Sequence, residues 1–216
     1  MKHLSLIMFI LTTSVHLFAS IKNDKPLRNK TKPFILLSLM GFYCFSVSKI
    51  RIVVVLALIF SWIGDLLLIP PGNKWFTAGG ISFMISHFFF ALSYLKDIAF
   101  SKINPLIMIV LGLIFFTIVM VTFKDLKPYL PKALFYPMYL YLLINGTMNC
   151  FAIFRHLSCR EPATLITLIG AILFFISDTA LFFVRFKKSS RLKTHFLVML
   201  TYSLGEFLIV MGLILK

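Results

Sequence analysis

Eight apolar runs separated by short polar breaks leave this chain few ways to fold. They cover roughly residues 3–20, 33–48, 52–69, 79–95, 104–123, 132–154, 162–184 and 194–215. Most approach the ~20 residues a helix needs to cross the hydrocarbon of a bilayer. The second is short, and Lys32, Lys49 and Arg51 at its ends can snorkel to the interface. In lipid every backbone N–H and C=O must be satisfied within the protein, which restricts spanning structures to helices and closed barrels. The runs lack the strict alternation of a barrel. The expectation is an all-α, polytopic membrane bundle of about eight transmembrane helices, one integral domain over 1–216. Composition agrees: 60% of residues are hydrophobic and 13% charged, against about 45–50% and about 25% in soluble domains.

The net charge is +15. On a soluble fold that would point to nucleic acid. Here the cations fall in the breaks, where they orient helices and meet anionic head groups, so the expected partner is membrane lipid and not nucleic acid. The breaks carry turn signals: Lys25-Pro26, Pro70-Pro71-Gly72-Asn73, Lys127-Pro128, Glu161-Pro162 and Lys187-Lys188-Ser189-Ser190. Fourteen of the 22 Lys and Arg lie in the odd-numbered loops (21–32, 70–78, 124–132, 185–193). The positive-inside rule then puts those loops in the cytoplasm and both termini outside. The membrane would be the inner membrane of a bacterium or the endoplasmic reticulum of a eukaryote. Lys2, the first run and Phe18-Ala19-Ser20 also have the form of a signal peptide, but the basic stretch that follows suits a cytoplasmic loop better than export. Cys44, Cys150 and Cys159 make neither a disulfide framework nor a zinc knuckle.

The chain has only seven acidic residues, and three, Asp65, Asp178 and Glu206, interrupt apolar runs. A charge in hydrocarbon costs several kcal/mol, so such residues face a bundle interior and mark functional sites by default. At 1.5 Å per residue, Asp65 lies about 7 Å from the odd-loop end of its run, Asp178 about 10 Å, His87 about 12 Å and Glu206 about 16 Å. All four therefore sit in one half of the bilayer, which predicts a shared intramembrane polar cavity. The small-Asp-x-x-Leu pattern at Gly64-Asp65 recurs at Ser177-Asp178, a weak hint of duplication.

Helical spacing adds further polar groups. Ser61 shares a face with Asp65, Tyr202 with Glu206, and Tyr141 with Asn145. Phe83, His87, Ala91 and Tyr94 form one stripe. Each polar residue has a structural reading beside the functional one. Asp65 could cap the Pro70 turn, His87 could be hydrogen-bonded across helices, and Asn145 could be helix–helix glue or a ligand for a head group or water. Gly-rich phosphate loops, nucleophile elbows and His-Glu-x-x-His are missing, and Ser177 and Asp178 point about 100° apart on a helix, which argues against a hydrolase triad. Asp65, His87, Asp178 and Glu206 could supply metal ligands, but one histidine is few for zinc; no metal and no cofactor are expected.

Lys32-Pro33, Ser61-x-x-Gly64-Asp65, His87, Gly170-Ala171 leading to Ser177-Asp178, and Tyr202, in that order and spacing, resemble the YhhN-type lysoplasmalogenase family. Glu206 departs from it, since the family more often has Gln there. The resemblance implies an eight-span membrane hydrolase. Its substrate would be a lyso-ether-lipid whose sn-1 vinyl ether is cleaved to a fatty aldehyde and a glycerophospho-alcohol. That chemistry needs an acid to protonate the vinyl β-carbon and a carboxylate to stabilise the oxocarbenium ion and activate water, a division of labour two carboxylates can supply. On this reading Asp178 is the acid, Asp65 the ionised partner, and His87 the residue that orients them or relays protons. Ser61, Asn145, Ser177, Tyr202 and Glu206 are the substrate-binding candidates. The acid and base could be exchanged. The rivals are a small proton-coupled transporter or lipid translocator, and a structural protein whose Asp residues hold helices together.

Overall fold

The computed structural model describes residues 1–187 and 195–216. The break expected at Lys188-Ser189-Ser190, and most of the 185–193 loop, lies outside them. Among the described residues there are eight long helices and no strand: α1 (Lys2–Ile21), α2 (Lys25–Ser46), α3 (Ile52–Leu67), α4 (Asn73–Leu95), α5 (Pro105–Leu126), α6 (Phe135–Cys159), α7 (Pro162–Phe182) and α8 (His195–Ile214). Six are long and apolar enough to cross a membrane: α1, α4, α5, α6, α7 and α8.

The other two explain themselves. At 1.5 Å per residue the 16 residues of α3 span about 24 Å, less than a ~30 Å hydrocarbon core. The α2 helix starts eight residues before the expected 33, because Asp24 accepts the Leu27 amide at 3.0 Å and Pro26 occupies the first turn. Pro33 therefore sits inside α2 rather than opening it, and its carbonyl accepts the Trp62 indole N–H at 2.9 Å from α3. A proline within a membrane helix is tolerated where a neighbouring helix supplies polar contacts of this kind. The other helices start as their residues dictate: Asn104 caps α5 ahead of Pro105, and Gly72, at φ +119°, makes the turn into α4.

Sequential hairpins dominate the packing: α1 on α2, α3 on α4, and α7 on α8, while α4 and α7 also pack on α6. The α7–α8 contact is the closest, and glycine makes it so. A Cβ at Gly170 would stand 2.6 Å from the Ile209 amide nitrogen, and one at Gly205 would stand 2.9 Å from the Gly170 carbonyl oxygen. The backbones touch, as small residues permit in membranes. At the other extreme, α5 buries only Val119 and Leu126 and turns the rest of its apolar surface outward, as expected of a helix whose solvent is lipid.

One end of the bundle, the end carrying both termini, is held by charge. Asp97, just past α4, has its Oδ2 2.9 Å from Arg155 Nε of α6, 3.3 Å from Arg51 Nη1 before α3, and 4.0 Å from Lys216 Nζ after α8. Arg155 is fully buried and also donates to Thr167 of α7 at 2.9 Å. Five segments thus meet on one ionic knot.

Candidate functional site

At the opposite end, helices α2, α3, α4, α6, α7 and α8 direct polar side chains to a common place. Asp65 and Ser61 are one turn apart on α3. Asp65 is nearly fully buried, with Lys32 Nζ of α2 3.2 Å from its Oδ1 and the Tyr202 hydroxyl of α8 donating to its Oδ2 at 2.9 Å. Both oxygens are engaged, one by a cation, so this carboxylate is held as an ion pair.

Asp178 on α7 is arranged differently. Its Oδ2 accepts the Tyr141 hydroxyl at 2.5 Å and the Asn145 amide at 2.8 Å, donors one turn apart on α6. His87 Nε2 stands 3.2 Å from the same oxygen. The distance is that of an ion pair, but the ring lies off the hydrogen-bonding direction and neither of its nitrogens makes a hydrogen bond. His87 is thus a close neighbour of Asp178 and not its hydrogen-bond donor. The imidazole is wedged between Phe174 and Tyr141, with ring centroids 4.6 and 5.4 Å away. Asn145 is itself held by Asn149, whose amide donates to its side-chain and main-chain oxygens at 3.1 and 3.0 Å. None of the described side chains hydrogen-bonds Asp178 Oδ1.

The two carboxylates line one cavity of about 250 Å³, together with Tyr202, Ser177 and, at its rim, Lys32, Arg185 and His195. Phe83 and Phe174 wall off the Tyr202 ring by edge-on contacts at 5.9 and 5.4 Å, so the polar floor is set in aromatic surroundings. Phe83 reaches this position because its ring lies over Gly64, where a Cβ would come within 2.6 Å of it.

Of the remaining candidates, all but Ser177 fall outside the cavity lining. Ser61 donates to Glu206 Oε1 at 2.7 Å and is 2.7 Å from Ser86 Oγ, so Ser86 in turn supplies the proton of that second bond. Glu206 is fully buried behind the cavity. Ser177 reaches the cavity wall, but its hydroxyl donates to the Val198 carbonyl at 2.8 Å and ties α7 to α8. Asn145 and His87 sit behind Asp178. Asp65, Asp178, Tyr202 and Ser177 are therefore brought to one surface, with Ser61, His87, Asn145 and Glu206 in a layer behind it.

The sequence marks Lys32 and Tyr141 but places neither of them, nor Arg185, His195, Ser86 or Asn149, among the site candidates. The signal for Tyr141 was its i, i+4 relation to Asn145. For Lys32 it was a cation flush against an apolar run that also faces a carboxylate. Among the described residues no three His, Cys, Asp or Glu are grouped so as to hold a metal ion.

Fold and site together define a polytopic helical membrane protein with a two-carboxylate cavity near one end of its bundle. The chain belongs to the YhhN family, whose sequence profile matches residues 27–213. That membership supports a hydrolase-like membrane protein. No curated protein and no solved structure matches the chain.

Proposed function

We propose that this protein is a membrane-embedded hydrolase that cleaves the vinyl ether of a lyso-ether-lipid. The observation that carries the reading is the unequal dressing of two carboxylates on one small cavity. Asp65 has both oxygens engaged, one by Lys32, which suits a permanent negative charge. Asp178 has its three polar neighbours on Oδ2 alone, which leaves Oδ1 to carry and deliver a proton. Two carboxyl groups in contrasting surroundings are the usual arrangement for dividing acid and base work.

The steps follow. Asp178 Oδ1–H protonates the vinyl β-carbon, and the ether oxygen's lone pair forms the oxocarbenium ion. Asp65 stabilises that cation across the cavity and accepts a proton as water adds to the α-carbon. The hemiacetal collapses with transfer of its hydroxyl proton to the departing glycerol oxygen, which releases aldehyde and alcohol. Asp178 then recovers its proton from the one Asp65 has gained. Tyr202, Tyr141 and Asn145 act as positioning residues, since each fixes a carboxylate oxygen. By the distribution of Lys and Arg, the cavity would open to the cytoplasmic side.

The test is incubation of purified protein with a lysoplasmalogen and with its saturated alkyl analogue. Aldehyde is expected from the first alone, and recovery of both lipids intact would refute the hydrolase and favour a carrier. Asp65→Asn and Asp178→Asn should each lower turnover by at least two orders of magnitude while the protein stays folded, in line with the 10²–10⁴-fold typical of general acid–base groups.

A further inference from the structure

Beside the acid cavity lies a second, larger one of different character. A groove of about 540 Å³ runs between α4 and α6, floored by Gly80 and walled by side chains such as Ile81, Met84 and Leu140. Its lining from Phe76 to Met84 rises about 12 Å along α4 at 1.5 Å per residue, most of one leaflet's hydrocarbon depth. Its volume falls within the ~300–1,000 Å³ of ordinary ligand sites.

The two are joined. Between them is a constriction of about 20 Å³, lined by Asp178 itself, with room for about one water molecule. Phe76, Gly80, Tyr141 and Phe182 are shared by groove and constriction, while Leu68, Phe83, Asp178 and Leu181 are shared by constriction and acid cavity. Phe76 touches all three spaces. The basic end lies on the far side: Lys32, Arg185 and His195 rim the acid cavity. Arg185 makes no ion pair among the described residues. Its guanidinium lies 4.6 Å over the Phe76 ring and donates to Asn73 at 3.2 Å.

We infer that groove, constriction and rim form one bipartite binding site for a single-chain phospholipid. The hydrocarbon chain lies in the α4–α6 groove, the first chain carbons cross the constriction beside Asp178, and the phosphate sits against Arg185 and His195. This rests on the hydrolase reading for the direction of the chain, and it adds to that reading a route and a selectivity. A molecule laid this way presents the bond between chain and glycerol to Asp178. At about 20 Å³ the constriction admits a single hydrocarbon chain only when side chains such as Phe76 and Phe182 part, so a lipid with two chains cannot seat its glycerol at the same depth. The overlap of its lining with that of the charged cavity is what separates it from the groove on α5, which borders no charged residue.

A non-cleavable probe tests the site without requiring turnover. The probe is a 16-carbon 1-alkyl-glycerophosphocholine with a diazirine at the chain terminus, photolysed with the purified full chain in lipid nanodiscs. Label should concentrate on Ile81, Met84 and Leu140. Gly80→Leu should reduce it at least tenfold, because a Cβ at Gly80 meets nothing within 4 Å and the longer side chain fills the groove without strain. Met84→Trp, one turn further along α4, narrows the same groove and should give the same loss. The 1-alkyl-glycerol probe, which lacks phosphate, should label at least tenfold less, and Arg185→Gln should remove most of that difference.

Equal labelling of groove and α5, or labelling unchanged in both groove variants, overturns the proposal. Groove labelling without aldehyde from the cleavable analogue would sink the hydrolase reading alone. Aldehyde release without groove labelling would sink the groove alone.

Discussion

The Lys32–Asp65 pair makes the sharpest quantitative prediction. Its charged atoms are 3.2 Å apart, Asp65 is 2% exposed and Lys32 14%. At an effective dielectric of ~20, their attraction is about 5 kcal/mol. Desolvation offsets part of this, but removal of one partner leaves the other buried and uncompensated, which costs about 3–5 kcal/mol. Lys32→Met should impose nearly that whole cost, because the short Asp65 side chain, 2% exposed, cannot swing outward to bulk solvent. Asp65→Asn should cost less, because Lys32 is the more exposed partner and its long stem can carry the ammonium outward. The double variant Lys32→Met/Asp65→Asn should recover most of the stability lost in Lys32→Met and none of the activity. The assay is reversible unfolding in mixed detergent micelles with increasing dodecyl sulfate, read as a double-mutant cycle. A Lys32→Met protein as stable as wild type, or single effects that simply add, would refute the claim that these residues form a buried ion pair.

Two further predictions come from the same geometry. Tyr141→Phe removes one short hydrogen bond to Asp178 Oδ2. Asp178 becomes a carboxylate as it gives up its proton, and a bond to a charged group contributes about 1.5–3 kcal/mol, so turnover should fall roughly ten- to hundredfold with little change in substrate affinity, measured by aldehyde release over a range of lipid concentrations. Gly205→Leu should prevent accumulation of folded protein, because its Cβ would stand 2.9 Å from the Gly170 carbonyl oxygen and from the Phe174 amide nitrogen. Gly112→Leu, where a Cβ meets nothing within 4 Å, should elute from size exclusion like wild type.

The legible features were those that violate the lipid-solvent rule. Asp65 and Asp178 stood out because carboxylates inside apolar runs are rare, and their shared depth followed from loop parity alone. The helical class was equally plain from run length. The start of α2 was misplaced because Pro33, next to Lys32, has the look of a helix opener. The true start, Asp24 with Pro26, lies in a charged stretch where apolar periodicity is silent. The division of labour around each carboxylate was not legible either. Tyr202 reaches Asp65 across 137 residues of chain, and Tyr141 reaches Asp178 across 37. Such pairings depend on helix rotation and crossing, which the close glycine contacts of α7 and α8 set. Ser177 illustrates the converse. Its neighbour suggested chemistry, yet the facing Val198 carbonyl takes its hydroxyl.

The ionic knot at Asp97 bears on how such a small bundle would admit the proposed lipid. Arg51, Arg155 and Lys216 gather α3, α6 and the end of α8 onto one carboxylate at the terminus-bearing end, while the acid cavity and the groove occupy the other. Rigidity and access are thereby given separate addresses. On the proposed lipid route the walls beside Phe76 and Phe182 would part to let a chain in while the helices stay anchored at their far ends, much as the blades of shears separate about a fixed pivot. Cohesion of the fold and entry of substrate then draw on different residues, and variation at one end need not compromise the other.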